Sequence, residues 1–141
     1  MSDIELLKYD LCGRIPFNTY VEVEKYHTGI LKGVDSGTVS TDRGINYPIG
    51  MVKPYLRSMS TMTDEEKNEC CAIFNNSMYQ FEVDKYGDVS STKETVEREN
   101  IYYDIELMDE WIKWLNKHHF DFRGLIGKGQ ALEALEGMYN I

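Results

Sequence analysis

His118-His119-Phe120-Asp121 gathers the side chains best able to do chemistry in this sequence, since imidazole and carboxylate groups serve both as metal ligands and as general acids and bases. Neighbouring residues leaving a helix do not turn toward one ion together, and a structural zinc needs four ligands while a catalytic one needs three plus water. His27, the remaining histidine, lies in a distant turn. The cluster therefore reads as a helix terminus, with His118 or His119 near the negative end of the helix dipole and Asp121 capping the next turn. Gly124-Leu125-Ile126-Gly127-Lys128-Gly129 invites a phosphate-loop reading. It departs from the G-x-x-x-x-G-K-[ST] template at both ends, with Phe122 in place of the first glycine and Gly129 in place of Ser/Thr.

Other catalytic patterns are missing. Cys12, Cys70 and Cys71 form neither an even disulfide framework nor a C-x-x-C pair, so adjacent Cys70 and Cys71 read as core or half-buried thiols and the compartment as reducing. No G-x-S-x-G elbow accompanies the histidines. The acids Asp109 and Glu110, like Asp64-Glu65-Glu66, diverge on helix faces and make no acid-base dyad. An enzyme is thus disfavoured, and neither a cofactor nor a metal is implied. Aromatic residues make up 12% of the chain, and Tyr, Trp and Arg are the usual anchors of binding patches and stack on bases. Trp111 lies at core spacing, whereas Trp114 lies on another helix face.

Stepping outward to the whole chain, 141 residues suit one domain, 1–141, with sub-lobes 1–58 (β-rich) and 59–141 (α/β). Apolar residues at 42% and charged residues at 28% are the balance of a globular protein. No apolar stretch approaches the roughly 20 residues of a membrane helix. The acidic start Met1-Ser2-Asp3-Ile4-Glu5 is unlike a secretory signal, so a cytoplasmic location is expected. The formal charge is -9, and Glu82 to Glu110 holds ten acidic residues against Lys85, Lys93 and Arg98. Such a field repels phosphate backbones and disfavours generic nucleic-acid binding.

Patterning predicts an α+β fold. Ser2-Asp3-Ile4-Glu5 is a capping box opening a helix from Asp3 to about Cys12, ended by Gly13 and Pro16. From Thr19 to Leu56, short β-favouring runs alternate with Asp35-Ser36-Gly37 and Asp42-Arg43-Gly44 turns, an antiparallel meander of four or five strands capable of forming a small SH3-like barrel. Thr63-Asp64-Glu65-Glu66 opens a second helix, to about Asn75. Met78 to Asp84 alternates as a strand, Tyr86 to Asn100 reads as a charged loop, and Ile101-Tyr102-Tyr103 reads as a returning strand of a short hairpin. Leu107, Met108, Trp111, Ile112 and Leu115 mark a helix from Asp104 to about Lys117. A short helical turn from Phe120 to Gly129 and a partly packed tail complete the chain.

Three segments carry a resemblance. Leu6 to Pro16, Lys53-Pro54-Tyr55-Leu56-Arg57-Ser58-Met59-Ser60-Thr61-Met62-Thr63-Asp64-Glu65-Glu66-Lys67, and Trp114-Leu115-Asn116-Lys117-His118-His119-Phe120-Asp121-Phe122-Arg123-Gly124-Leu125-Ile126 with its continuation to Tyr139 resemble a family of small uncharacterised proteins of gut Bacteroidales and their phages and mobile elements. They cover under half of the chain. Gly127 and Leu135 depart from the family pattern, in which an acidic residue and a proline are usual. The resemblance implies a bacterial or phage cytoplasm and an accessory gene, with no transferable activity.

These readings lead to the expectation of a non-enzymatic binding protein of phage or mobile-element origin, acting in counter-defence on a host protein or by sequestering a small nucleotide signal. For a nucleotide ligand, Arg57, His119 and Arg123 are the phosphate partners, with His118 beside them and Trp114 or Tyr55 as the stacking surface. One alternative is an enzyme that cleaves or modifies a nucleotide with His118, His119 and Asp121. Another is a structural or assembly protein whose meander drives homo-oligomerisation.

Overall fold

A computed structural model describes residues 1–24, 26–75, 81–83, 89–91 and 101–139. The chain divides into two units, one of Met1–Arg57 with His119–Ile141 and one of Ser58–His118. Residues 119–141, grouped above with the second sub-lobe, belong to the first unit.

The first unit opens with α1, Asp3–Arg14, and its capping box is formed as the sequence predicts: Ser2 Oγ accepts from the Glu5 N–H while the Glu5 carboxylate accepts from the Ser2 N–H. The helix continues through Gly13 rather than ending there, and Arg14 reaches back one turn to Asp10. Pro16 then sits in a 3-10 turn, Ile15–Phe17, and Asn18, with φ of 53°, supplies the left-handed reversal expected of Gly13.

Five strands follow: β1, Tyr20–Val23; β2, His27–Val34; β3, Thr38–Thr41; β4, Asn46–Pro48; and, after a 3-10 turn at Ile49–Met51, β5, Val52–Leu56. A two-residue strand, β8, Leu132–Glu133, is added from the C-terminal segment, giving a mixed sheet in the order β4-β3-β2-β1-β5-β8. All pairs are antiparallel except β5 with β8. The register slips between Leu31 and Gly33 in β2, a bulge of the kind that bends a strand. β5 returns beside β1 after the 3-10 turn. The sheet is open in its hydrogen bonding, with β4 and β8 as its edges.

Alternation along β1 and β3 turns Val21, Val23 and Val39 inward, where they meet Leu7 and Leu11 of α1 together with Leu31, Val52, Leu56 and Leu125. The Ile49 N–H donates to the Gly37 carbonyl, so by strand parity Tyr47 and Ile49 face β3 and Pro48 faces the open edge. A proline there withholds a donor from any incoming strand.

In the second unit α2, Asp64–Asn75, begins with the predicted box: Thr63 Oγ1 accepts from the Glu66 N–H, and the Glu66 carboxylate accepts from the Thr63 N–H. Strands β6, Phe81–Val83, and β7, Val89–Ser91, form an antiparallel hairpin. β7 falls in the stretch read above as loop, because its polar letters lack a strand's apolar alternation. Ile101-Tyr102-Tyr103, expected as a strand, instead forms the first turn of α3, Ile101–Lys117. Three β-favouring residues are too few to oppose the helix propagating from the periodic run behind them. The remainder of the 86–100 segment lies outside the described residues. Among the described residues, no helix is long and apolar enough to cross a membrane.

Cys70 on α2 is buried. Burial pushes its thiol from 9.0 up to about 11, outweighing a hydrogen bond from Trp111 and reinforced by neighbouring Cys71. The folded value exceeds the unfolded one, so the contribution is complete below pH 9 and is lost as pH rises toward 11. Thermal melts across that range should show a falling midpoint that flattens in Cys70→Ala. A thiol reagent at neutral pH should label exposed Cys12 far ahead of Cys70.

Candidate functional site

The chain re-enters the first unit beside the end of β5. The Arg57 N–H donates to the His119 carbonyl at 2.7 Å and the Asp121 N–H to the Arg57 carbonyl at 2.8 Å, a parallel bridge of Arg57 with Phe120. To make this turn His119 takes φ of 63°, a conformation that L-residues reach at a cost of about 1–2 kcal/mol. Its side chain is held on two sides. Nδ1 lies 3.2 Å from Thr19 Oγ1, and the ring stacks on Tyr139 with centroids 3.6 Å apart at 11°.

Tyr139 completes the seam between β1 and β5. Its hydroxyl accepts from the Tyr20 N–H at 3.0 Å and donates to the Tyr55 carbonyl at 2.7 Å. The phenol thus occupies the place of the direct rung that would follow the Val21–Pro54 pair. Burial pushes the Tyr139 hydroxyl well above the ordinary phenol range.

Beneath the same turn lies a buried charge cluster. Arg14, with no exposed surface, donates through Nε to Asp10 Oδ2 at 2.7 Å and through Nη2 to Asp10 Oδ1 at 3.0 Å. Nη2 also donates to the Phe120 carbonyl at 2.7 Å. Arg123 Nε stands 3.4 Å from Asp10 Oδ1. The Arg14 and Arg123 guanidinium groups lie 5.6 and 4.7 Å from the centre of the Phe122 ring. Arg57, 6% exposed, lies 4.1 Å over Phe120.

The glycine-rich segment is arranged around Asp121. Its two carboxylate oxygens accept from the Leu125 N–H at 2.8 Å and the Ile126 N–H at 2.9 Å. Amides that would cradle a phosphate in a phosphate loop therefore already hold an internal carboxylate. Asp121 caps this turn as expected, while the segment forms successive turns rather than a helical one.

In the second unit, His118 faces α2: Nδ1 is 3.4 Å from Glu66 and Nε2 is 3.7 Å from Glu69. Its ring lies 4.4 Å from that of Trp114, whose indole N–H donates to Glu69 at 3.3 Å.

The residues singled out by sequence thus divide. Tyr55, Arg57, His119 and Arg123 belong to the first unit, Trp114 and His118 to the second. Tyr55 has its ring largely buried and its hydroxyl donating to Glu22 at 3.2 Å. Arg57 and His119 are buried and built into the re-entrant turn, and Arg123 keeps a quarter of its side chain in solvent. Trp114 and His118 tie α3 to the acidic face of α2. Sequence reasoning missed Asp10, Arg14 and Tyr139. The four-residue spacing of Asp10 and Arg14 within one helix was the available signal, whereas nothing local marks Tyr139.

A separate feature lies at the other end of the sheet. Tyr26 and Ile45 are 65% and 54% exposed: the Tyr26 ring is 5.7 Å from that of Tyr47, and Ile45 immediately precedes β4, two residues before Tyr47. His27 meets Tyr47 edge-on at 5.5 Å. Among the described residues, no group of three or more His, Cys, Asp or Glu is placed to hold a metal ion. Comparison with protein-family models, curated proteins and solved structures finds no match to the chain.

Proposed function

We propose that this protein is a non-enzymatic binding protein that engages a protein partner through the Tyr26–Ile45 end of its sheet. The observation that carries the reading is two large, mostly exposed apolar side chains, Tyr26 packed on Tyr47 of the edge strand β4 and Ile45 immediately before that strand. Aromatic residues so placed are typical anchors of protein interfaces. Pro48 on the open edge disfavours addition of a partner strand, so side chains rather than backbone make the contact. The groups able to do acid-base chemistry have other duties: His119 and Asp121 hold the re-entrant turn and the glycine-rich segment, and His118 pairs with Glu66 and Glu69. The resemblance stated above supports a phage or mobile-element origin, and on this reading a host protein is the partner and counter-defence the purpose.

The test compares wild-type protein with a Tyr26→Ser/Ile45→Asp variant as bait in extract of a host bacterium. A partner retained by wild type and lost by the variant, with unchanged circular dichroism, is the expected result. An identical catch with both baits rejects this surface. Solution mass separates the assembly reading: an oligomer that the double variant converts to monomer makes a second copy of the chain the partner.

A further inference from the structure

Asp10 is a single carboxylate shared by two guanidinium groups. Arg14 takes both of its oxygens, and Arg123 approaches Oδ1 from the outside at 3.4 Å. The cluster therefore carries one positive charge in excess. Donors are in excess as well. Among the described residues, Arg14 Nη1 is buried without a hydrogen-bond partner, as is Arg123 Nε, whose contact with Asp10 is an ion pair only. Buried donors are rarely left unsatisfied, and uncompensated charge in a protein interior is costly.

We propose that this cluster is an oxyanion-binding site in which Arg123 receives a carboxylate or phosphate group. Arg123 suits the role: Phe122 supports its planar group from one side, Asp10 Oδ1 lies 3.4 Å from Nε, and a quarter of the side chain remains in solvent. A guanidinium held in plane presents paired N–H groups that match the two oxygens of an oxyanion. Arg14 does not touch the ligand; it supplies the fixed charge behind Arg123. The overall charge of -9 does not oppose this, because exposed distant acids are screened beyond about 8 Å at physiological ionic strength. The site is independent of the protein-partner reading, since it lies on Asp10, Arg14, Phe122 and Arg123 rather than on Tyr26 and Ile45.

An anion that binds the folded state alone raises its melting temperature in a saturable way. The full chain is titrated with sodium phosphate, and separately with sodium acetate, with sodium chloride adjusted to hold ionic strength constant. A saturating rise with either anion, lost in Arg123→Gln, is the expected result. A rise with phosphate alone assigns the site to phosphoryl ligands, and a rise with acetate as well assigns it to carboxylates. Arg123→Lys keeps the charge without the fork and controls for folding; it should melt like wild type in chloride and bind several-fold more weakly. No rise with either anion, or a rise that persists unchanged in Arg123→Gln, overturns the proposal.

Discussion

Asp10→Ala should lower the unfolding free energy by about 3–5 kcal/mol, since removing one partner leaves a buried guanidinium uncompensated. Arg14 has no exposed surface through which water might take over, and its remaining bond is to the Phe120 carbonyl. Urea unfolding with a denaturant slope unchanged from wild type measures the loss. Replacing both members with apolar residues, Asp10→Leu/Arg14→Met, should recover much of it, because a well-packed apolar pair often matches a buried ion pair. Recovery remains partial while the Phe120 carbonyl lacks its donor. A loss below about 1 kcal/mol in Asp10→Ala would mean that water reaches Arg14 and that the pair contributes as weakly as a surface salt bridge.

Tyr139→Phe should cost about 2–4 kcal/mol. The ring and its stacking on His119 survive, but the Tyr20 N–H and the Tyr55 carbonyl lose their common partner, and each unsatisfied buried group costs about 1–3 kcal/mol. The variant should also change the alkaline limb of stability. In the wild type the folded hydroxyl ionises above its unfolded value of 10.0. Its contribution is therefore complete below pH 10 and lost as pH rises further. Tyr139→Phe should lack that component, whereas Tyr9→Phe, at an exposed position, should retain it. Equal midpoints for Tyr139→Phe and wild type at neutral pH would rule out the phenol as a rung of the sheet.

Local chemistry made much of the fold legible. Both capping boxes, at Ser2–Glu5 and Thr63–Glu66, form with the reciprocal bonds their letters imply. Gly44 takes the positive φ that the Asp42-Arg43-Gly44 turn calls for. What escaped depends on distant partners. Gly13 has the composition of a helix end, yet the bond from Arg14 to Phe120 crosses 106 positions and rewards extending the helix past it. Ile101–Tyr103 has strand letters and lies in a helix. The placement of the candidate residues escaped the sequence for a related reason. Periodicity separates inward from outward apolar residues, but it does not reveal that Arg57 and His119 turn inward, since long polar side chains follow whatever partner the tertiary fold offers.

The parallel junction of β5 with Phe120 and β8 bears on how this chain can be shortened. A chain that leaves one strand and resumes beside it in the same direction must travel back the length of the strand, so a tight hairpin turn cannot join Arg57 to His119. Topologically, Ser58–His118 is the crossover of a parallel pair, and such a crossover requires only about a dozen residues. Grafting a bridge of that length in place of the whole segment would keep every hydrogen bond of the six-stranded sheet. Every strand pair of that sheet lies within Met1–Arg57 and His119–Ile141, so the sheet is one structure written in two separated stretches of sequence.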